Sequence, residues 1–304
     1  MTVKTQINLG GLCMKNPVTT CSGTFASGQE YSDFVDVSKL GAVTTKGVSL
    51  HGWTGNATPR IAETPSGMLN SIGLQNPGVQ TLINRDLPWL KENNATIIVN
   101  VSGHSTEEYV SVVEALEESS LADAYEINIS CPNVDSGGAA LGTDPVLAGK
   151  VTQACREATK RPLIVKLTPN VTDVTEIAKA VEAAGADAIS LINTPLGMAI
   201  DPYTRKPLLA RVVGGMSGPA VKPIALRMVW QTYQSVFIPI LGMGGITSGL
   251  DAIEFMLAGA TAVAVGTANF INPCASIEVL QGIISYCEEM GVEDVHELIG
   301  ALEC

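Results

Sequence analysis

The stretch AGATAVAVGTANF, residues 258–270, runs from the end of one regular segment, through a second, into a loop. Its Gly259-Ala260 pair suits a helix terminus, where glycine takes the left-handed position that closes the last turn. The run Ala262–Val265 has no polar alternation, as expected of a parallel strand covered on both faces. Gly266 and Thr267 end it. The same join recurs in LGAVTTKG (40–47) and AGADAISL (184–191). Helix end, Gly-Ala, buried strand and polar strand end make a β/α unit, and the unit repeats.

Working outward, eight apolar runs span the chain: NPVTTCSG, GAVTTKG, ATIIVNVSG, AYEINIS, PLIVKLT, AISLIN, FIPILGMGG and AVAVGTA. Helical periodicity fills most of the gaps. Val174, Ile177, Val181 and Ala184 share one face, and Val110, Val113 and Leu116 another. Eight units in 304 residues favour a (β/α)8 TIM barrel over a doubly wound sheet. The whole chain, 1–304, then forms a single domain. INLGGLCMKNPV is expected to make a short hairpin under the barrel. Segments 49–94, 132–146 and 194–223 are expected as insertions at the C-terminal rim, where barrels carry their functional loops.

Charged residues are 16% of the chain, against about 25% in an average soluble protein, which fits a large core. A net charge of −12 argues against nucleic acid, whose binders need a basic face. It also means that an anionic ligand must be met by local cations or backbone N–H groups. The start lacks a signal-like apolar segment, and no run approaches the roughly 18 residues of a membrane span. The cysteines at 13, 21, 131, 155, 274, 287 and 304 form no CxxC pair. That pattern fits reduced thiols in a cytoplasmic protein and disfavours zinc or iron–sulfur ligation.

The strand ends bring chemistry to one rim: Ser22, Lys46, Asn100, Asn128 with Cys131, Lys166, Asn193 with Thr194, Gly244 with Gly245, and Gly266 with Thr267. Any one could merely meet solvent; eight together point to a shared site. GMGGITSG and GTANF supply backbone N–H groups for a phosphate at the seventh and eighth strands. Gly242 and Gly244 give only a partial dinucleotide fingerprint, because position 247 is Thr and the next strand ends without an acid. One phosphate of a mononucleotide is the better fit. Lys166 lies in an apolar strand, where its charge needs a partner. Three readings stand for it: reach to water, a Schiff base as in barrel aldolases, or stabilisation of charge on a flavin ring. The Cys131 loop and the asparagines favour the flavin. Asn70, Asn100, Asn128, Asn133 and Asn193 offer donor and acceptor together, matching a ring edge that alternates C=O and N–H. Cys131 stands where a strand gives way to a Pro-, Asn- and Gly-rich loop, within reach of a ligand.

These residues resemble a known family. EINISCPNV, TKGV, NSIGLQNPG, IVKLTPN, LINT, GGMSGPAVKPIALR and GMGGI are similar to the dihydroorotate dehydrogenases, over nearly the whole chain. Cysteine in NISCPN resembles class 1 members; ETPSGMLNSIGLQNPGV and GMAIDPYTRKPLLA look most like the NAD-linked class 1B. Pro195 departs from the expected leucine. The resemblance implies bound FMN and oxidation of (S)-dihydroorotate to orotate in pyrimidine biosynthesis. Flavin contacts would come from Ser22, Lys46, Gly47, Asn100, Asn128, Lys166 and Ile192, with Gly218, Gly244, Gly245, Gly266 and Thr267 around the ribityl chain and phosphate. Substrate contacts would be Lys46, Asn70, Ser71, Ile72, Gly73, Leu74, Asn128, Asn193 and Thr194. Cys131 would be the base. A partner subunit would carry FAD and a [2Fe–2S] cluster to NAD, around a central homodimer in a heterotetramer. Two alternatives remain: a homodimeric, fumarate-reducing member of the family, and a phosphate-binding Schiff-base aldolase or synthase using Lys166.

Overall fold

The structure, a computed structural model, describes residues 3–130 and 141–303. Its centre is an eight-stranded sheet built from β1 (Val18–Thr20), β2 (Val43–Thr44), β3 (Ile97–Val101), β4 (Ala124–Asn128), β5 (Leu163–Lys166), β6 (Ala188–Leu191), β7 (Ile240–Met243) and β8 (Ala262–Val265). Each strand lies beside its neighbour in sequence, and β8 pairs with β1. All these pairings are parallel. The β1 and β2 edges meet through the Gly41 amide, which donates to the Val18 carbonyl at 2.8 Å. Thr19 and Thr44 hydroxyls approach to 3.2 Å across the same seam. A sheet whose edges meet this way is a barrel, the expected (β/α)8 class.

The strands are buried at every position, which is why their sequences run apolar without alternation. Helices Thr106–Ser119, Pro145–Ala158, Val174–Ala183, Lys222–Tyr233, Gly249–Leu257 and Ala275–Met290 cover the outside. Several start at the rim with side-chain caps: Ser105, Asp144, Asp173 and Ser248 each accept from a first-turn amide. In Thr106–Ser119 the core face is Tyr109, Val112, Val113 and Leu116, with Val110 only half-buried. The tyrosine, polar at its tip, belongs to the core face and displaces the expected register.

The Gly-Ala joins divide. Gly185 and Gly259 hold the expected positive φ, +96° and +115°. Gly41 does not. A side chain there would strike the Asn16 carbonyl and come within 2.9 Å of Met14 Cε, so close packing against the N-terminal segment requires glycine. That segment forms the expected hairpin, Ile7–Leu9 against Leu12–Met14. Gly10 at its tip packs on the Asp187 backbone, just before β6. The hairpin therefore sits at the opposite end from the strand termini that carry the polar residues.

Segments 49–94 and 194–223 are more than insertions. Residues 79–92 form the helix between β2 and β3, interrupted by a π turn at Leu82–Asp86 and by Pro88, which blurs its periodicity. Lys222 already begins the helix before β7. What remains folds into a four-stranded antiparallel sheet, in the order Leu196–Met198, Val213–Ser217, Gly67–Asn70, Ile61–Thr64. Most of segment 132–146 lies outside the described residues. No helix among the described residues is long and apolar enough to cross a membrane.

Candidate active site

A cavity of about 1040 Å³ opens at the C-terminal ends of the barrel strands. That is at the top of the roughly 300–1,000 Å³ range of small-molecule sites, room for two ligands together. The antiparallel sheet supplies one wall through Ile61, Met68, Asn70 and Met216. The barrel rim supplies the others.

One end is glycine-rich: Gly218, Gly244, Gly245, Gly266 and Thr267 all line it. Gly244 holds φ +125° and Gly245 +80°, both in the region that favours glycine. A side chain at Gly244 would come within 2.9 Å of Ala225 Cβ, and one at Gly245 within 2.8 Å of Lys222 Cβ. Bare backbone is therefore obligatory here, and it can approach a phosphate closely. The Thr267 hydroxyl donates to Ser217 Oγ at 2.8 Å. Behind the loop, Asp251 accepts from Lys222 Nζ at 2.6 Å and from the Thr247 and Ser248 amides at 2.9 Å. Burial alone would raise the Asp251 pKa, but Lys222 and these donors bring it down to about 2.

The other end is amide-rich. Asn100, Asn128, Asn170 and Asn193 line it from β3, β4, the loop after β5 and the loop after β6. Tyr109 donates to the Asn128 carbonyl at 2.6 Å, and the Asn128 side chain accepts from the Ser130 amide at 3.3 Å. Asn170 donates to the Thr194 carbonyl at 3.2 Å and accepts from the Leu196 amide at 2.9 Å, fixing the strand end that bears Asn193 and Thr194. Asn56 holds the Ser71 carbonyl at 2.9 Å, steadying Asn70 to Leu74.

Charge is distributed one way. Lys46, Lys166 and Arg211 line the cavity, and no Asp or Glu does among the described residues, in a chain of net charge −12. Lys166 is 5% exposed. Its ammonium lies 3.7 Å from the fully buried Glu126 carboxylate beneath the floor. Glu126 also accepts from Ser190 Oγ at 2.7 Å and from Asn100 Nδ2. Reaching from β4 to Ser190 on β6 requires a path across the barrel's interior.

Every site residue expected from the sequence within the described residues borders this one cavity: Ser22, Lys46, Gly47, Asn70 to Leu74, Asn100, Asn128, Lys166, Ile192, Asn193, Thr194, Gly218, Gly244, Gly245, Gly266 and Thr267. Cys131 and Asn133 lie outside the described residues; Ser130, one position before Cys131, lines the wall and donates to the Lys166 carbonyl at 3.1 Å. Absent from that expected set are Glu126, Asn170, Arg211, the stacked Trp53–His104 pair (centroids 4.0 Å) and Cys21. Burial, with Glu126 adding and Lys166 opposing, pushes the Cys21 thiol up to about 11. Glu126 had a signal, an acid inside the apolar run AYEINIS. Arg211 and Trp53, on irregular loops, had none.

The residues present fit a flavin mononucleotide. The glycine cradle suits its phosphate, and two buried polar atoms of the lining, Asn100 Oδ1 and Ser71 Oγ, have no hydrogen-bond partner among the described residues. Buried polar atoms are rarely left so, and ligand donors or acceptors would satisfy them.

Comparison with known proteins agrees with the site. Residues 4–286 match the family model described as dihydroorotate dehydrogenase. The chain is 59% identical over 296 residues to the dihydroorotate dehydrogenase B (NAD(+)) catalytic subunit of Alkaliphilus oremlandii, covering 97% of this chain and 98% of that one. It is 56% identical over 297 residues to the protein of the same description from Parabacteroides distasonis, covering 98% and 97%. In three dimensions it resembles Eimeria tenella DHODH crystallised with ferulenol, with a TM-score of 0.82 at 21% identity, over 98% of this chain and 88% of that one. At that identity the likeness concerns the fold.

Proposed function

The chain belongs to the dihydroorotate dehydrogenase family, and on that premise we propose that its cavity holds FMN and oxidises (S)-dihydroorotate to orotate in pyrimidine biosynthesis. The observation that carries this reading is one cavity with a glycine cradle at one end, asparagines at the other and, among the described residues that line it, cations but no acids. FMN, when bound, supplies the hydride acceptor; the chain's own residues do the rest. Lys46 offsets the substrate carboxylate, helped by backbone N–H groups of Ser71 to Leu74. Asn70, Asn128, Asn193 and Thr194 match the ring's alternating C=O and N–H edge. Cys131 takes the C5 proton as general base, in the segment that follows Ser130. The flavin contacts are those of the expected set: Ser22, Lys46, Gly47, Asn100, Asn128, Lys166 and Ile192 toward the ring and ribityl chain, and Gly218, Gly244, Gly245, Gly266 and Thr267 toward the phosphate.

Lys166 has a partner unsuited to a Schiff base. Its Nζ is engaged 3.7 Å from the buried Glu126 carboxylate, rather than presented to the cavity as a free amine nucleophile. Relatives at 55–59% identity are described as NAD(+)-linked catalytic subunits, which supports an electron route through a partner carrying FAD and a [2Fe–2S] cluster rather than to fumarate. The antiparallel sheet and its neighbouring loops expose Leu196, Met198, Ile200, Tyr203 and Val213. An apolar patch of this kind marks an interaction surface and supports a homodimer at the centre of a heterotetramer. Free, buried Cys155 and Cys287 suit a reducing cytoplasm. All of 1–304 acts as one domain in this reading.

The test is orotate formation by the purified chain. With an artificial acceptor the chain turns over alone, and with NAD it does so only after the partner subunit is added. Efficient NAD reduction without the partner would overturn the electron route, and no orotate with any acceptor would overturn the function.

A further inference from the structure

We propose that Glu126 is a positioning residue, which sets the direction of the Asn100 amide and the charge balance of Lys166 at the cavity floor. The inference rests on the flavin reading above and goes beyond it, since Glu126 does not line the cavity.

The argument starts from burial. Glu126 has no exposure, so its carboxylate must be fully compensated. Three strands provide for it: Asn100 of β3, Lys166 of β5 and Ser190 of β6. Asn100 Nδ2 donates to the carboxylate, so Asn100 Oδ1 must point the other way. It does: Oδ1 has no partner among the described residues, and Asn100 borders the cavity beside Gly47. A Cβ on Gly47 would come within 2.6 Å of that oxygen. A carboxylate can only accept from an amide. Glu126 therefore commits the Asn100 face toward the ligand to being an acceptor. Lys166 is treated differently. At 3.7 Å its ammonium is paired in charge without a short hydrogen bond, which leaves its protons for a ligand while its charge is balanced.

Glu126→Gln separates these effects from packing. The glutamine is isosteric, but its N–H group can turn Asn100 over, presenting a donor where the ligand met an acceptor. It also leaves the Lys166 charge unbalanced. The expected results are FMN binding to apoprotein weakened about tenfold or more, as when a buried polar group loses its partner, and a midpoint potential of bound FMN raised. A tenfold gain in relative affinity for the reduced ring corresponds to about 30 mV in a two-electron couple. Glu126→Asp, which keeps the charge, is expected to stay nearer the parent in both. A packing role predicts the reverse order, with Gln tolerated and Asp damaged. Ser190→Ala removes one hydrogen bond that anchors the carboxylate but keeps its charge, so it should weaken FMN binding by less than Gln does and leave the potential near the parent's.

The experiment is fluorescence titration of apoprotein with FMN, together with dye-equilibrated potentials, for the parent and the three variants. Potentials and affinities ordered parent, Asp, Gln support the proposal. Parental values in Glu126→Gln, or the reverse order, overturn it. Should Glu126→Gln fail to fold, an unchanged FMN affinity in Ser190→Ala overturns it. A parent that takes up no FMN would instead fail the flavin reading itself, an outcome seen before any variant is compared.

Discussion

Cys131 and Lys166 divide the proposed chemistry between a proton and a charge. A free thiol has a pKa of about 8.5, so a thiol serving as base with that value is mostly protonated at neutrality and only its thiolate can act. Turnover is accordingly expected to rise with pH until the thiol has titrated. Cys131→Ser should retain FMN and lose about 100-fold or more in kcat, the size of a general-base contribution. Parental turnover in that variant across the pH range would remove Cys131 from the mechanism. Cys21, a thiol that lines the cavity, is a poor candidate for that role because burial raises its pKa to about 11. Side chains at strand ends could be placed from sequence alone, because a strand's last residue has one place to be. Glu126 could not be given a partner that way. Its meaning depends on Ser190, two strands away across the barrel, and nothing local in AYEINIS names that contact.

Among the elements, the helix Gly249–Leu257 ties the phosphate end together. Asp251 closes a capping box with Ser248 and holds Lys222 from the preceding helix. Its pKa falls from an ordinary 3.8 to about 2, so its stabilisation is complete above pH 3.8 and is lost as pH falls through about 2. Asp251→Asn is expected to lose on the order of 2 kcal/mol at pH 7. In urea unfolding the gap between parent and variant should close as pH drops from about 4 to 2. A gap that does not depend on pH would contradict this. The eight strands were legible because buried parallel strands read as apolar runs, and the barrel followed from their count. The antiparallel sheet was not. It pairs 61–70 with 196–217, a match set by barrel geometry that leaves no periodic signal in either segment.

Over the whole molecule, a net charge of −12 should repel an anionic substrate, yet the cavity carries only cations among its described charged residues. The field is focused locally, by Lys46, Lys166 and the exposed Arg211. Arg211 sits far enough out to guide entry. Arg211→Ala should therefore lower kcat/KM for dihydroorotate about fewfold to tenfold at low salt, with kcat little changed. The difference should shrink as ionic strength rises and the Debye length falls below about 10 Å. A deficit that persists undiminished at high salt would mean that Arg211 touches the substrate.

The most direct test of the central claim is a visible spectrum of the purified chain, recorded without oxygen before and after addition of dihydroorotate. Flavin bands that bleach on addition, with orotate formed in step, are the expected result. Colourless protein that takes up no added FMN, or a yellow protein whose bands survive the substrate, would contradict the account.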